Sequence, residues 1–248
     1  YMGQALPLIA LQYHMVSIKI KTRDLKSLIV CNGSNISLSG KIKELKLFTD
    51  YIFLDTDERK RFALSSHEYL IEQLQYTNEK LKSGKNLFNF KFNHPVKELV
   101  WVLKNQSRNQ TTDTPIFNSA LNDTNGNDWF NYSSNIENTE LEYGTYDIFN
   151  HANMLINGKE RFEERDALYF RQVQPLQHHS NLPKKHIYVY SFALKPEQHQ
   201  PSGTCNFSRI NKATLKIDTI IDSDLYLFGI NYNVLRIMSG MGGLAYTN

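Results

Sequence analysis

The 248-residue sequence has little cysteine, no long apolar run and almost no excess charge. Its two cysteines, Cys31 and Cys205, are too few and too far apart for a disulfide framework or a CxxC metal site, and they fit a reducing compartment. No apolar run reaches the roughly 18–20 residues that span a bilayer, and the N-terminus lacks the layout of a signal peptide. We therefore expect a soluble chain, made inside the cell, without a membrane span.

The charge balance argues against a nucleic acid partner. Lys and Arg number 28 against 25 Asp and Glu, which gives a net charge of +3, and no stretch concentrates the basic residues. Binding to a genome calls for a basic patch or stripe. We therefore predict no direct contact with nucleic acid.

Aromatic residues are abundant and follow period-two patterns. They make up 12% of the chain, with 14 Tyr and 14 Phe. Phe88, Phe90 and Phe92 alternate with polar residues, as do the apolar residues of Val16–Ile20, so each segment has one face for a core and one for water. Further strands are predicted at Glu44–Asp55, Glu98–Leu103, Ile187–Leu194, Ala213–Asp218 and Leu225–Ile237. The pattern predicts a mainly β chain.

Helical signals are short. Ser66, followed by Glu68, Leu70 and Leu74, has the pattern of a helix N-terminus, and a second helix is predicted at Lys159–Phe170. Neither segment is long enough to organise a domain.

Two segments interrupt the strands. The charged run and serine pair at Asp57–Ser66 predict a boundary between a short first region and a longer second one. Nine Asn lie between Asn105 and Asn138, a composition rich in turn formers and poor in residues to bury. We interpret that stretch as a long surface excursion.

One acidic stretch offers a pair of carboxylates for general acid–base chemistry. Its acidic and basic residues interleave: Glu160, Glu163 and Glu164 with Lys159, Arg161 and Arg165. On a helix, this interleaving favours a salt-bridged face in water over a catalytic pair.

Three further motifs lack the context that their chemistry needs. They are the histidines His178, His179, His186 and His199, the segment Ser202–Cys205, and the glycines Gly240, Gly242 and Gly243. The histidines lack zinc-ligand spacing, the serine lacks a nucleophile elbow, and no helix follows the glycines to face a phosphate. We predict surface histidines, a turn or buried role for the Ser–Cys segment, and positive φ or close packing at the glycines. No catalytic, cofactor-binding or metal-binding residue is predicted, and no cofactor.

Several long stretches of the chain are distinctive. They are ALPLIALQYH at Ala5–His14, DYIFLDTDERKRFA at Asp50–Ala63, HEYLIEQLQ at His67–Gln75, YSFALKP at Tyr190–Pro196, QPSGTCNFSRI at Gln200–Ile210 and NYNVLRIMSGMGGLAY at Asn231–Tyr246, with weaker FNHPVKEL at Phe92–Leu99 and INGKERF at Ile156–Phe162. In this order they resemble, nearly word for word, the major capsid proteins of the nucleocytoplasmic large DNA viruses, which include algal chloroviruses, iridoviruses and giant viruses. The segment Asn105–Glu140 has no counterpart in that family and is expected to be specific to this member.

The resemblance implies an all-β fold, a jelly-roll β-sandwich in which a complete C-terminal jelly roll follows the closing strands of a first one. It assigns residues 1–56 to the incomplete first jelly roll, 57–66 to a linker and 67–248 to the second jelly roll. Since Tyr1 already resembles mature domain sequence, the chain is expected to start in mid-fold. About three strands cannot cover both faces of a core, so the apolar faces within 1–56 are expected to be exposed or borrowed.

Jelly-roll order also places the last strand between two others. We predict that Leu225–Ile237 is this strand, because it is apolar on both faces. A change of phase at Asn233–Val234 predicts a bulge, and Met238–Asn248 is predicted to be a glycine-bearing tail.

The function implied by the resemblance is structural and not enzymatic. The family's homotrimers form pseudo-hexagonal capsomers of an icosahedral viral shell. The implied partners are further copies in the homotrimer, neighbouring capsomers and minor capsid proteins, with no direct nucleic acid contact and no membrane span. The implied location is the virion, after assembly in the cytoplasm of the infected host cell.

Two other functions fit a β-sandwich. A glycan-binding, lectin-like module would stack exposed aromatic rings on sugars, but of the two tryptophans, Trp101 and Trp129, Trp101 lies in an apolar strand and is predicted to be core. A cupin-like enzyme ranks lower, because its His and Glu metal ligands are missing. A ring of exposed aromatics around a concave pocket would favour the lectin.

Overall fold

The computed structural model describes residues 5–22, 40–106, 130–134 and 146–247. These residues form two compact units. The terminal unit contains residues 5–22, 40–72 and 233–247, and the central unit contains the described residues between 73 and 232.

Strands dominate the chain, and its helices are short. The elements are a 3₁₀ turn at Leu8–Ala10, α1 at Thr56–Leu64, β1 at His67–Leu81, β2 at Gly84–Phe90, β3 at Pro95–Asn105, β4 at Phe149–Ile156, β5 at Lys159–Glu160, β6 at Arg165–Asp166, a π-helical turn at Tyr169–Val173, α2 at Gln174–His178, β7 at Tyr188–Ser191, β8 at Cys205–Asn206, a 3₁₀ turn at Phe207–Arg209, β9 at Ala213–Thr219, β10 at Ser223–Met238 and β11 at Met241–Leu244. No helix within the described ranges is long and apolar enough to cross a membrane.

The strands form two sheets. The first has the order β1-β10-β3-β7, with β11 beside β10 and β8 beside β3, and the second has the order β2-β9-β4-β5, with β6 beside β4. The earliest strands therefore pair with the latest long strands, which is the wrapped order of a jelly roll. This order confirms the predicted all-β jelly-roll class.

Aromatic rings fill the core of the central unit. The Trp101 ring lies 5.0 Å from the Phe170 ring, and the Phe149 ring lies 4.6 Å from the Tyr188 ring, measured between centroids. Phe88 and Phe90 on β2 point into the same core, as their alternation predicted. The core role predicted for Trp101 is also confirmed.

Strand β10 lies between β1 and β3, which confirms the placement predicted for Leu225–Ile237. Its register against β3 shifts between Ile230 and Asn231, slightly before the predicted change of phase. The prediction of a tail after Met238 is wrong, since Met241–Leu244 folds back as β11 and pairs with the end of β10.

Two strands predicted in the terminal unit do not form. Val16–Ile20 and Glu44–Asp55 have no strand assignment, and their apolar side chains are exposed, Ile18 at 63% and Phe53 at 92%. A strand needs a neighbour to pair its backbone N–H and C=O groups, and no described residue supplies one to these segments.

The first predicted helix is wrong, the second forms only at its end, where residues 167–170 are helical, and a helix lies where a linker was expected. The segment after Ser66 is strand β1, and Lys159–Phe170 contains β5, β6 and the start of the π-helical turn. Helix α1 begins after Asp55, whose carboxylate accepts the Glu58 backbone N–H at 2.9 Å. Asp55 and Glu58 have the spacing of a capping box, whereas the prediction placed a helix N-terminus at Ser66.

The C-terminal glycine turn contacts the start of the chain within the terminal unit. Gly240 has φ of 82°, and its carbonyl accepts the Tyr13 backbone N–H at 2.9 Å. A Cβ at Gly240 would overlap the Tyr13 ring. Positive φ and close packing at this glycine are both confirmed.

The predicted surface excursion lies largely outside the described residues. Within the described part, Asn131 and Ser133 are buried, and the Asn131 amide oxygen accepts the Ser133 backbone N–H at 2.9 Å. The Lys185 ammonium donates to the Phe130 carbonyl at 3.0 Å, so this short piece contacts the segment that precedes β7.

Burial on β10 predicts a strong contrast between two Leu-to-Ala substitutions. Leu227 is 1% exposed in the core, whereas Leu87 on β2 is 66% exposed. Leu227→Ala should lower the free energy of unfolding by about 2–5 kcal/mol, because it removes buried methyl groups and leaves a cavity. Leu87→Ala should change it by less than about 0.5 kcal/mol. Urea denaturation gives both values, and equal effects would contradict the assigned core.

The turn at Gly240 predicts different effects for two Gly-to-Ala substitutions. Gly240→Ala should cost about 1–2 kcal/mol locally, because the side chain is forced into a left-handed backbone. Exchange of the Tyr13 amide should then accelerate by a factor of about 5–30. Gly243→Ala is the control, since a Cβ there meets nothing within 4 Å, and it should leave this exchange unchanged.

Candidate assembly surface

The outer face of the β1–β10 pair carries an apolar patch. Alternate residues of β10 point to opposite faces: Leu225 and Leu227 lie in the core, while Tyr226 and Phe228 point away from it. We define the sheet-face patch as Leu74, Tyr76, Tyr226 and Phe228. A sheet face in water is normally polar, so this composition is typical of a contact surface.

The rings of the sheet-face patch are ordered against one another. The Tyr76 ring lies 6.2 Å from the Tyr226 ring and 5.2 Å from the Phe228 ring. Burial, with a contribution from Tyr226, raises the pKa of Tyr76, so its hydroxyl stays neutral at physiological pH. Leu74 is 64% exposed beside them on β1. The patch consists of four uncharged side chains, two exposed and two partly exposed, and its composition suits protein contact.

A second apolar surface surrounds α2. We define the helical knob as Val173, Leu176, Leu182 and Leu194, all of which are exposed. The His178 Nδ1 atom lies 3.1 Å from the Leu194 carbonyl, which joins the end of α2 to the loop after β7. This contact places Leu194 close to the end of α2.

A buried ionic cluster holds the helical segment against the sandwich. The Arg171 guanidinium makes two hydrogen bonds of 3.1 Å to the Asp147 carboxylate, with its side chain only 2% exposed. The Tyr188 hydroxyl donates to Asp147 at 2.7 Å, and the His186 ring lies 4.0 Å from it. Burial, and then Asp147, raise the pKa of Tyr188 well above its usual value. This Asp147 cluster connects the residues just before β4 with the π-helical turn and β7.

Gln174 fixes the first turn of α2 to the edge of the sheet. Its side-chain oxygen accepts the Ser191 backbone N–H at 3.0 Å, and its side-chain nitrogen donates to the Tyr169 hydroxyl at 2.9 Å. A buried edge strand needs partners for its backbone groups, and Gln174 supplies one for β7.

His179, which follows α2, lies between two carboxylates. Its Nε2 is 3.0 Å from Oε2 of Glu98 on β3, and its Nδ1 is 3.3 Å from Oε1 of Glu197 in the loop after β7. The Glu98 carboxylate raises the pKa of His179 by more than burial lowers it, and Glu197 adds to the rise. The ring therefore favours its charged form.

The acidic stretch at residues 160–164 has no catalytic arrangement. Glu160, Glu163 and Glu164 are exposed as predicted, but they lie on β5 and the link to β6 and not on a helix. The Glu160 carboxylate accepts a hydrogen bond from Asn153 at 2.9 Å and lies 3.9 Å from the Lys216 ammonium. The stretch makes ordinary surface contacts.

The histidines differ from the prediction of surface positions. His199 is exposed, but His186 is buried beside Asp147, and His179 is largely covered between its carboxylates. Sequence spacing could not reveal this, because the acidic neighbours are distant in the chain. No three His, Cys, Asp or Glu side chains in the described part converge as metal ligands.

The predicted turn does not form at Ser202–Cys205, whose residues are half-buried or exposed, and Cys205 begins β8. The Ser202 hydroxyl accepts the Lys195 backbone N–H at 2.9 Å, and a Cβ on Gly203 would lie 2.7 Å from the Phe192 carbonyl oxygen. Burial raises the pKa of the Cys205 thiol, which keeps it protonated and a poor nucleophile. Trp129, weighed for sugar stacking, lies outside the described residues.

The Asp147 cluster predicts a large cost for losing one partner. Arg171→Met should lower the free energy of unfolding by about 3–5 kcal/mol, because a buried carboxylate is left without its cation. Arg236→Met is the matched control: its ion pair with Glu68 spans 2.7 Å but both side chains are about half exposed. That control should cost at most about 1 kcal/mol. Calorimetric melting compares the two, and a mild effect of Arg171→Met would contradict the buried pair.

Comparison with known proteins gives one family. Residues 58–243 match a family model described as the large eukaryotic DNA virus major capsid protein, and residues 1–55 match one described as the major capsid protein N-terminus. Together these matches cover nearly the whole chain.

Individual relatives agree with the family match. The chain is 43% identical to the major capsid protein of Pyramimonas orientalis virus over 99% of this chain and 58% of that protein. It is 38% identical to the major capsid protein of Paramecium bursaria Chlorella virus 1 over 99% of this chain and 64% of that one. The chain thus spans less than two thirds of the length of these relatives.

A solved structure of the PBCV-1 virus capsid shares the fold. Its TM-score is 0.66 at 36% identity, and the match covers 80% of this chain and 56% of that one. The family consists of structural proteins, which confirms the prediction of a non-enzyme. The sandwich, its apolar outer surfaces and these matches lead to one conclusion: the chain belongs to the major capsid protein family of large eukaryotic DNA viruses.

Proposed function

We propose that this chain is part of a major capsid protein whose homotrimers form the pseudo-hexagonal capsomers of an icosahedral shell. The observation that carries the proposal is the sheet-face patch, an ordered apolar surface on a rigid sandwich of the capsid family. Copies of one chain that pack by such a surface exclude water from it and gain hydrophobic free energy. The protein would reside in the virion after assembly in the cytoplasm of the host cell.

The domain organisation is part of this proposal. Residues 1–56 would be closing strands of a first jelly roll, residues 57–66 a linker that contains most of α1, and residues 67–248 the second jelly roll. The exposed apolar side chains of Val16–Ile20 and Glu44–Asp55 support the first assignment, since such side chains are buried when a sandwich is complete. Two similar blocks per subunit around a three-fold axis give six near-equivalent sides.

The jelly-roll fold supports a tiling role. A jelly roll pairs most of its strand edges within two packed sheets, so it behaves as a block whose loops can vary without disturbing the core. Neighbouring capsomers would contact the flanks of such blocks, and minor capsid proteins would bind between them. No catalytic residue is required for this work.

The glycan-binding alternative fits the aromatic patch less well. A sugar site combines a stacking ring with polar groups that bind the hydroxyls. Tyr76 and Tyr226 instead lie beside Leu74 and Phe228 on extended strands, so their surroundings are apolar and open. Protein contact uses all four side chains, whereas sugar stacking uses only the rings.

Oligomeric state tests the proposal. Light scattering should show the full-length protein as a homotrimer, and Leu74→Asn with Tyr76→Asn should raise the dissociation constant at least tenfold, or about 1.4 kcal/mol. Leu87→Asn is the control, because Leu87 is equally exposed but lies on the other sheet. A protein that stays monomeric under all near-physiological conditions would contradict the trimer. If Leu87→Asn weakened the trimer as much as the double substitution does, the sheet-face patch would be excluded as the contact between subunits.

A further inference from the structure

A carboxylate lies beside each of the two nitrogen atoms of the His179 ring. Nε2 approaches Glu98 to 3.0 Å, and Nδ1 approaches Glu197 to 3.3 Å. Glu98 is 5% exposed, and neither its Oε2 nor the His179 Nε2 has an aligned hydrogen-bond partner, so the contact between them is electrostatic. A buried carboxylate needs a neighbouring cation, and the protonated imidazole supplies one.

This geometry favours the charged form of histidine. A neutral imidazole has one N–H donor and one lone pair, while the imidazolium ring has two N–H donors. With carboxylate oxygens within 3.3 Å of both nitrogens, a neutral ring leaves one carboxylate beside a nitrogen that carries no proton. Nε2 and Glu98 Oε2 lie 3.0 Å apart without an aligned hydrogen bond, so their attraction is electrostatic and is strongest when His179 carries two protons.

The other charged groups around the ring do not supply the positive charge that pairs with Glu98 and Glu197. On β3, the Lys97 ammonium donates to the Pro196 carbonyl at 2.7 Å, and on α2, His178 contacts the Leu194 carbonyl. The loop after β7 adds Lys195, which is exposed, beside Glu197. The titratable residues of β7 itself are Tyr188 and Tyr190, which belong to the core.

A metal ion does not explain the site. Glu98 and Glu197 contact opposite nitrogens of one ring, and a single metal ion can bind only one of these nitrogens. The two carboxylates thus cannot share a metal ion with this histidine. A proton on each nitrogen satisfies both contacts.

We propose that His179 is a proton-controlled latch that holds the end of α2 to β3 and to the loop after β7. When both nitrogens carry protons, the ring joins Glu98 to Glu197, and Glu197 also accepts the Ser180 backbone N–H at 3.0 Å. Loss of one proton leaves Glu98 or Glu197 facing a lone pair, and the turn after α2 opens. The latch thereby sets whether Leu176, Leu182 and Leu194 of the helical knob keep their positions.

The direction of the pH effect follows from the raised pKa of His179. A histidine with a higher pKa in the folded protein stabilises the fold fully below its unfolded value, and this stabilisation is lost as pH rises through the folded value. The latch is therefore closed in mildly acidic solution and opens towards alkaline pH. This behaviour is independent of trimer formation, since it is internal to one subunit.

Amide hydrogen exchange on the full chain tests the latch. After correction for intrinsic rates, protection of the segment 178–187 should fall about tenfold or more between roughly pH 5.5 and pH 9. Long-range nitrogen NMR of the ring should show that His179 titrates above the usual range. His179→Gln should give low protection with no pH dependence, while the control His199→Gln, an exposed histidine, should keep the wild-type profile.

Two further variants separate the latch from a merely structural histidine. Glu98→Gln removes the buried charge and should lower the pKa of His179 with little change in volume. Glu197→Gln affects an exposed residue, so it should fold normally and still shift the exchange profile to lower pH. Protection that does not change with pH in the wild type would overturn the proposal. An unshifted profile in Glu197→Gln would overturn it equally.

Discussion

The fold depends on the pairing of β10 with strands on both of its sides. Because β10 lies between β1 and β3, its backbone groups are satisfied and both of its faces can carry apolar side chains. Leu225 and Leu227 complete the core, while Tyr226 and Phe228 build the sheet-face patch. A single strand thus contributes both to the stability of the sandwich and to the surface proposed for assembly.

Buried ions determine how the helical segment attaches to this sandwich. Arg171 pairs with Asp147 out of water, and His179 contacts Glu98 where the carboxylate has little solvent. Such pairs contribute little net free energy, but a misplaced segment would leave a charge unpaired at high cost. They therefore favour one position of α2, and with it one position of the helical knob. In a shell built of many copies, a uniform surface matters more than additional stability.

Local patterns in the sequence were enough to predict much of the central unit. Phe88 and Phe90 alternate with polar residues in β2. Strands β3, β9 and β10 each overlap a strand that was predicted from the sequence. These strands are half or fully buried, so the period of their side chains directly reflects the pleat. Failures occurred where local spacing was ambiguous. Leu70 and Leu74 fit a helix, but pairing with β10 makes the segment a strand.

The sequence by itself determined the fold class, the family and the core strands, because these depend on short-range periodicity and on long ordered matches. Tertiary structure alone decided which residues meet across the chain. Asp147 and Arg171 are joined by folding, as are Glu98 and His179, and no sequence spacing marks either pair. The same holds for Val16–Ile20, whose alternation satisfies the pattern of a strand without a paired neighbour. Periodicity reports which face a residue prefers, whereas pairing and burial require partners that only the folded chain brings together.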